Sequence, residues 1–251
     1  MIDRVIDALC LPASALVGQR IHKTVLVEHA AVTAADKRAI EAGFDRIDWV
    51  AALKPGSIGV PAYSDDVRVV EEIAVITARL RGDANPVRLA ALLHRVIPYP
   101  VLLVLESGEN TCLSLAPKRR SLGDASKWVV EDVVTAPPII AEDDPLQSAF
   151  LASLAVASLP RASLWLLYAG LIERAEAFAA ARATGQFRLA VDADDAAARR
   201  AALAAHAGRV AEVARLRTAA RRERRVAEAI ALARAVAGAE AALAETLAGL
   251  R

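Results

Sequence analysis

The spacing of hydrophobic and polar residues predicts three helices in the first half of the chain. Apolar residues recur at helical spacing over residues 2–9. Over 33–42, a threonine precedes an acidic residue by three positions, which is the pattern of an N-cap. Over 85–96, an asparagine stands where an N-cap would lie and a proline follows at the first helical position. These signals place helices at the start of the chain and between runs of a different kind.

Those other runs are rich in β-branched and apolar residues and predict strands. The segment 101–105 is uninterrupted in its apolar character, as expected of a strand buried on both faces. Ser107 to Asn110 has the length and composition of a hairpin turn. The predicted strands are 22–29, 46–54, 67–80, 101–105, 111–116 and 127–134. Helices mixed with hairpins indicate an α+β domain with a mixed β-sheet.

Composition changes in the second half of the chain. All 11 prolines lie at or before Pro160, and alanine becomes much more frequent after residue 150. Alanine favours helices and proline disfavours them, so the pattern predicts helix from about residue 145 onward. The predicted organisation is an α+β domain over 1–140, a helical segment over 145–190 and a long helical, coiled-coil-like tail over 191–251.

The tail carries a short heptad-like stripe of apolar residues, which predicts packing against another helix. Its members are Leu232, Val236, Ala239, Leu243, Leu247 and Leu250. A short stripe of leucine and alanine buries little area by itself. We therefore expect it to pack within the chain or on a larger partner, which favours a monomer or a hetero-complex over a homodimer.

A long stretch with little charge, between Asp144 and Glu173, contains only Arg161 as a charged residue. Pro160 interrupts it and several polar residues dilute it, which favours two buried helices over a membrane span. The first residues show no basic segment leading into an apolar run, so no signal peptide is predicted. We expect a cytoplasmic protein that does not enter the membrane.

Sequence motifs for common catalytic chemistry are absent, and no catalytic residue is assigned. The chain has no GxxxxGK[ST], GxGxxG, GxSxG, HExxH or CxxC motif. It has two cysteines and four histidines, none at the spacing of metal ligands. The sequence therefore predicts neither a metal site nor a cofactor.

Acidic residues of the predicted sheet leave one enzymatic alternative open. A metal-dependent nuclease needs clustered carboxylates and a lysine to hold a cation and orient water. The candidates are Asp65–Asp66, Glu71–Glu72 and the pair Asp45 and Asp48 with Lys54, and Glu72 and Lys54 could lie on neighbouring strands. The usual lysine two positions after the acid is missing, so solvated turns and strand edges explain these acids better.

Two basic clusters are candidates for binding nucleic acid or an acidic partner, although the chain as a whole has a formal net charge of only +1. The first is Lys118, Arg119 and Arg120, and the second is Arg215, Arg217, Arg221, Arg222, Arg224 and Arg225. The second group spans several helix faces, so its members cannot all be paired within the helix. The competing interpretation is a solvated helix surface in an arginine-rich protein.

Several short motifs occur along the chain in a fixed order. They are Leu11-Pro12, Val17-Gly18-Gln19-Arg20, Thr33-Ala34-Ala35-Asp36-Lys37, Trp49, Leu53-Lys54-Pro55, Ile97-Pro98-Tyr99-Pro100, Lys118-Arg119, Tyr168 and Ala181-Arg182-Ala183-Thr184-Gly185-Gln186-Phe187. Together they resemble a known prokaryotic family, the domain-of-unknown-function family 4391. The resemblance covers about residues 1–190. It implies no specific activity and no catalytic residue. It does imply an association with helicases and DNA methyltransferases in restriction-like or phage-defence systems.

Two functional hypotheses follow. In the first, the protein is a non-enzymatic adaptor that binds a helicase or DNA methyltransferase partner and contacts DNA through its helical region. In the second, it is an unrecognised metal-dependent nuclease or other hydrolase that uses the sheet carboxylates. The missing carboxylate–lysine motif favours the adaptor.

Overall fold

The computed structural model describes residues 1–28, 33–82, 84–121, 123, 128–142 and 144–250. His29, Lys127, Asp143 and Arg251, which fall within or beside predicted segments, lie outside the described residues. Contacts between residues divide the chain into two compact units, Met1–Ala175 and Glu176–Arg251. The three-part division expected from composition stays a prediction.

The α-helices have the following bounds: α1 Ile2–Ala8, α2 Lys23–Glu28, α3 Ala34–Gly43, α4 Pro55–Ile58, α5 Pro86–Val96, α6 Pro145–Ser153, α7 Leu164–Thr184, α8 Ala193–Arg222 and α9 Val226–Thr246. Short 3₁₀ helices lie at Ala13–Ala15, Val156–Ser158 and Leu247–Leu250. The predicted caps are present: Thr33 forms a capping box with Asp36, and the Asn85 side chain accepts from the Arg88 N–H. Within the described residues, no helix is both long enough and apolar enough to cross a bilayer.

The strands are β1 Leu16–Arg20, β2 Phe44–Leu53, β3 Tyr63–Ser64, β4 Val69–Val70, β5 Ile73–Leu80, β6 Val101–Ser107, β7 Asn110–Leu115, β8 Lys118–Arg120, β9 Trp128–Val130 and β10 Val134–Thr135. Six of them form one sheet in the order β1-β2-β5-β6-β7-β10. In this sheet β5 and β6 are parallel and the other pairs are antiparallel. The predicted α+β fold with a mixed sheet is therefore confirmed.

Helices cover the two faces of this sheet. On one face, α3 and α5 pack over a core that includes Phe44, Ile76, Leu93 and Leu103. On the other, α1 contacts β6 and α6. All residues of Val101–Leu105 are buried, which agrees with the prediction of a strand covered on both sides.

Three predicted strands differ in the structure. Residues 23–28 of the predicted 22–29 strand form helix α2, in which only Leu26 is buried. The predicted strand 67–80 is divided: Val69–Val70 forms the short strand β4, and β5 begins at Ile73. The 127–134 segment provides only the short strands β9 and β10. Only residues 23–28 change from predicted strand to helix, and the other two segments form shorter strands than predicted.

Three strands were not predicted: the short strands β3 and β8, and β1, which belongs to the main sheet. The reason is clearest for β1. Its five residues Leu16–Arg20 are all exposed, so it shows no alternation between buried and solvent-facing positions. It lies at the end of the sheet and is held by pairing with β2. Because backbone hydrogen bonds rather than buried side chains hold it, periodicity could not reveal it.

The second unit contains the predicted helical tract, folded as a helical hairpin. α8 ends at Arg222 and α9 begins at Val226, and the two helices contact each other along their length. His206 Nδ1 lies 2.8 Å from Thr246 Oγ1, and Arg217 pairs with Glu240. Ala239 and Leu250 of the predicted apolar stripe are buried, and its other members are half-buried. Arg200 Nε also lies 2.7 Å from Glu176 Oε1, which joins α8 to the end of α7.

Leu103 provides a test of the core. It is fully buried in β6, so we expect Leu103→Ala to lower the free energy of unfolding by about 2–5 kcal/mol. Val87→Ala is the control, because Val87 is 74% exposed on α5 and should change stability by less than about 0.5 kcal/mol. Urea denaturation measures both variants. Equal effects would mean that β6 is not at the centre of the core.

Candidate nucleic-acid interface

The connection between α8 and α9 gathers six arginines at one end of the helical hairpin. Arg215 and Arg222 are seven residues apart and share a helix face, whereas Arg217 and Arg221 are four apart and share another. Arg224 and Arg225 follow in the connection itself. All six are exposed. The prediction that these residues span several faces of a helix holds for the four on α8, whereas Arg224 and Arg225 lie outside it because the predicted continuous helical tract is broken at residues 223–225.

Ion pairs divide the cluster into two groups. Arg217 lies 2.8 Å from Glu240, and Arg225 pairs with Glu223 at 3.3 Å and with Glu228. The backbone N–H and the guanidinium of Arg225 hold the pKa of Glu223 below its usual range. Four arginines make no ion pair with any residue that the structure describes: Arg215, Arg221, Arg222 and Arg224. Positive charge at the carboxyl end of α8 is also favoured by the helix dipole.

The arrangement has a clear chemical consequence. An exposed guanidinium without a carboxylate partner keeps its fork of N–H donors available for a phosphate or carboxylate group. Four such groups within ten residues create a local positive field on a chain that is nearly neutral overall. The end of the hairpin is therefore the part of this basic cluster that is ready to bind anions.

The cluster in the first unit is placed differently. Lys118 is buried, and its ammonium donates to the backbone carbonyls of Ile97 and, at 2.5 Å, Tyr99. Burial lowers the pKa of Lys118 to about 7. Its predicted role in binding would require these internal hydrogen bonds to open.

The two neighbours of Lys118 in β8 remain partly exposed. Arg119 Nε lies 3.8 Å from Glu131 Oε1, and Arg68 also pairs with that carboxylate at 2.6 Å. The backbone N–H of Arg120 donates to Val67 at 2.8 Å. Arg119 therefore shares the Glu131 carboxylate with Arg68, so its guanidinium is less available to bind an external anion.

A buried polar pair beside Lys118 was not predicted. His94 of α5 lies 3.0 Å, through Nε2, from the Ser114 hydroxyl of β7, and its Nδ1 has no hydrogen-bond partner among the described residues. Burial, followed by the charge of Lys118, lowers the pKa of His94 to about 3. His94 is about 100° around the helix from Leu93, so the apolar stripe of α5 offered no signal for it. The imidazole is neutral at physiological pH, and its role is a buried contact with Ser114 inside the domain.

The acidic residues of the nuclease alternative are spread over separate contacts. Glu72 lies 2.8 Å from Lys54, which confirms that these two residues are neighbours, and one Glu72 oxygen has no partner in the described structure. Asp45 lies 3.4 Å from Arg81, and Asp65 accepts from Tyr63 and two backbone N–H groups. Across the described ranges, no group of three or more His, Cys, Asp or Glu residues is arranged to hold a metal ion.

The sheet also carries a charged pocket of about 310 Å³ between α1, β2 and β5. Asp48 is one of its lining residues, but its carboxylate lies 2.6 Å from Arg46. Arg79, which also lines the pocket, lies 3.0 Å from Glu106. Carboxylates neutralised in this way are poor ligands for a cation, so the pocket does not reproduce the carboxylate–lysine arrangement of a nuclease.

Comparison with known proteins identifies the family of this chain. Residues 9–243 match the family model described as Domain of unknown function (DUF4391). No curated protein matches the chain. No solved structure matches it either.

The buried ammonium of Lys118 predicts a pH-dependent stability. Its pKa is 10.5 ordinarily and about 7 in the fold, so the unfolded chain binds more protons between these values. The free energy of unfolding should therefore rise with pH across that window, by up to about 1.4 kcal/mol per pH unit from this group. Urea denaturation of the wild type and of Lys118→Met from pH 6.5 to 9.5 measures the difference, which should grow with pH.

Lys54→Met is the matched control for this experiment. Lys54 is half-exposed, and its hydrogen bond to Glu72 raises its pKa. It stays protonated across the window in both states, so its removal should shift the curve without changing its slope. Parallel curves for wild type and Lys118→Met would contradict the burial of a titrating ammonium.

Proposed function

The chain belongs to the family described as Domain of unknown function (DUF4391), and we propose that it acts as a non-enzymatic accessory protein of a DNA-directed system that contacts duplex DNA through the arginine-rich end of its helical hairpin. The observation that carries the proposal is the set of four exposed arginines without an ion-pair partner in the described structure, at the end of α8 and in the α8–α9 connection. This role places the protein in the cytoplasm.

Charge distribution supports phosphate as the ligand. The phosphates of duplex DNA follow one another closely, one charge per about 1.7 Å of helix axis, so a compact group of cations can engage several of them. Arginine matches the oxygen atoms of a phosphate with two parallel N–H donors. Arg217 and Arg225, which are paired with acids, lie among or beside the unpaired arginines along the chain.

The nuclease alternative has less support from the geometry. The sheet carboxylates that would have to bind a cation are engaged by Arg46, Arg81 and Lys54. Releasing each of them would break an ion pair, and the buried Glu72 would lose its only charged partner among the described residues. An accessory role requires no such rearrangement.

Contacts to phosphate carry no sequence information. A protein that holds DNA in this way positions it without choosing the site, so a partner would have to provide the recognition or the chemistry. The family resemblance implies a helicase or a DNA methyltransferase in a restriction-like or phage-defence system, and that partner is part of our proposal.

The DNA contact is tested by Arg221→Gln together with Arg222→Gln. Fluorescence anisotropy with a labelled 20-base-pair duplex at several salt concentrations gives the slope of log K against log salt. Each lost phosphate contact should reduce that slope by about 0.9, so the double variant should bind more weakly and with a flatter salt dependence.

Lys37→Gln together with Arg38→Gln is the matched control. Both residues are exposed on α3 and neither has an ion-pair partner in the described part of the chain, so the change in net charge is identical. The proposal requires the control to bind as the wild type does. Equal losses in both double variants, or no binding by the wild type, would assign these arginines to a solvated surface.

The partner is tested in the native host. A tagged copy expressed from its own locus should co-purify with a helicase or a DNA methyltransferase after nuclease treatment, which removes bridging DNA. Recovery of such an enzyme only from untreated extracts would mean that DNA alone links the two proteins. Recovery of neither enzyme under both conditions would contradict the proposed association.

A further inference from the structure

The core of the first unit is open at one edge of the sheet. A groove of about 340 Å³ lies there and is lined mainly by apolar residues from β1, α2, β2 and the end of α5. Leu26 in its lining belongs to the buried core, and Ile21, Trp49 and Ile97 pack against that core with part of their surface exposed. The groove is therefore a continuation of the core that no described element covers.

The strand beside the groove is itself unusual for a sheet edge. β1 is the outer strand, and no described strand pairs with its free side. Its exposed residues include Leu16 at 56% and Val17 at 38%. Sheet edges normally carry charges, prolines or a covering element because their free N–H and C=O groups can pair with another strand. Only Arg20 at the end of β1 carries charge.

The irregularity in β1 leaves one part of the edge available. A bulge lies between Leu16 and Gln19, where Gly18 adopts a φ of +65°. From Gln19 onward the pairing with β2 is regular, and the Ile21 N–H continues it by donating to Ile47 at 2.9 Å. Gln19, Arg20 and Ile21 of this regular part also line the groove.

We propose that the β1 edge accepts an extended segment of a partner protein as an added strand. Side chains of a strand alternate between its two faces, so every second side chain of the added segment would lie on the face where the groove opens. A large apolar side chain at such a position would fill the groove and complete the core. Main-chain hydrogen bonds would hold the segment. The groove would select this large apolar side chain, which we call the anchor.

The charges that line the groove indicate which residues of the added segment should lie next to its apolar anchor. Arg20 and His22 line the groove, and no acidic residue does so within the described lining. Arg20 is exposed and has no ion-pair partner in the described structure. A segment with an acidic residue next to its apolar anchor therefore complements this edge. The inference concerns the first unit and does not depend on the DNA contact proposed for the hairpin.

The probe is a synthetic nine-residue peptide with alternating threonine and valine, a central tryptophan and one glutamate on each side of it. We expect it to bind saturably in fluorescence anisotropy, and to protect backbone amides of β1 from hydrogen exchange. Val25→Glu should weaken binding at least tenfold, because Val25 lines the groove and is 45% exposed. Arg20→Glu should weaken it several-fold and reduce its salt dependence.

Val87→Glu is the matched control, since it adds the same charge at an exposed valine outside the groove, and it should bind as the wild type does. Circular dichroism shows whether each variant is folded. N-methylation of alternate peptide amides gives the decisive comparison. One set of alternate N–H groups faces β1 and the other faces away, so only one of the two methylated peptides should lose binding.

Three results would overturn the proposal. Equal binding by both methylated peptides would show a side-chain pocket without strand addition. Absence of binding, or equal binding to Val25→Glu, would show that the groove does not accept the anchor. A wild-type dimer in light scattering that becomes a monomer on Val17→Lys would show that the edge is occupied by a second copy of the chain.

Discussion

The parallel pairing of β5 and β6 is the constraint on which the first unit depends. Parallel neighbours require a crossover, and α5 provides it between Leu80 and Val101. Strands of this kind are stable only when both faces are covered. The need to bury Val101–Leu105 from two sides therefore explains why α3 and α5 lie on one face of the sheet and α1 on the other.

Buried polar groups connect this sheet to the helices that follow it. The Tyr168 hydroxyl of α7 donates to the Val101 carbonyl at 2.8 Å and accepts from the Ala116 N–H at 2.8 Å. Lys118 supplies donors for the carbonyls of Ile97 and Tyr99. The Tyr168 contacts satisfy buried backbone groups, and Lys118 satisfies partly buried carbonyls between α5 and β6. The Tyr168 contacts also link α7 to the sheet, and the residues up to Ala175 belong to the unit that contains the sheet.

The two units present different chemistry to possible partners. The second is an alanine-rich hairpin whose free end is a group of arginines, and its contribution in the proposed function is electrostatic and independent of base sequence. The first ends in an apolar edge with free backbone groups, which suits a polypeptide rather than a nucleic acid. A protein that holds DNA through one unit and a partner through the other would bring the two together without catalysing a reaction.

The sequence alone determined the elements that have local signals. Caps identified α3 and α5, the apolar run identified β6, and alanine without proline identified the helical second unit. The position of Arg215, Arg217, Arg221 and Arg222 on a helix was also predictable, because it depends only on spacing along the chain.

Only the tertiary structure decided which of those charges are free. The pairing of Arg217 with Glu240 joins residues on two helices, and the burial of Lys118 follows from the position of the Ile97 and Tyr99 carbonyls. The edge strand β1 forms because the β2 backbone pairs with it. Its own residues show no alternation between buried and exposed positions. Such features depend on groups distant in the sequence, which a local pattern does not contain.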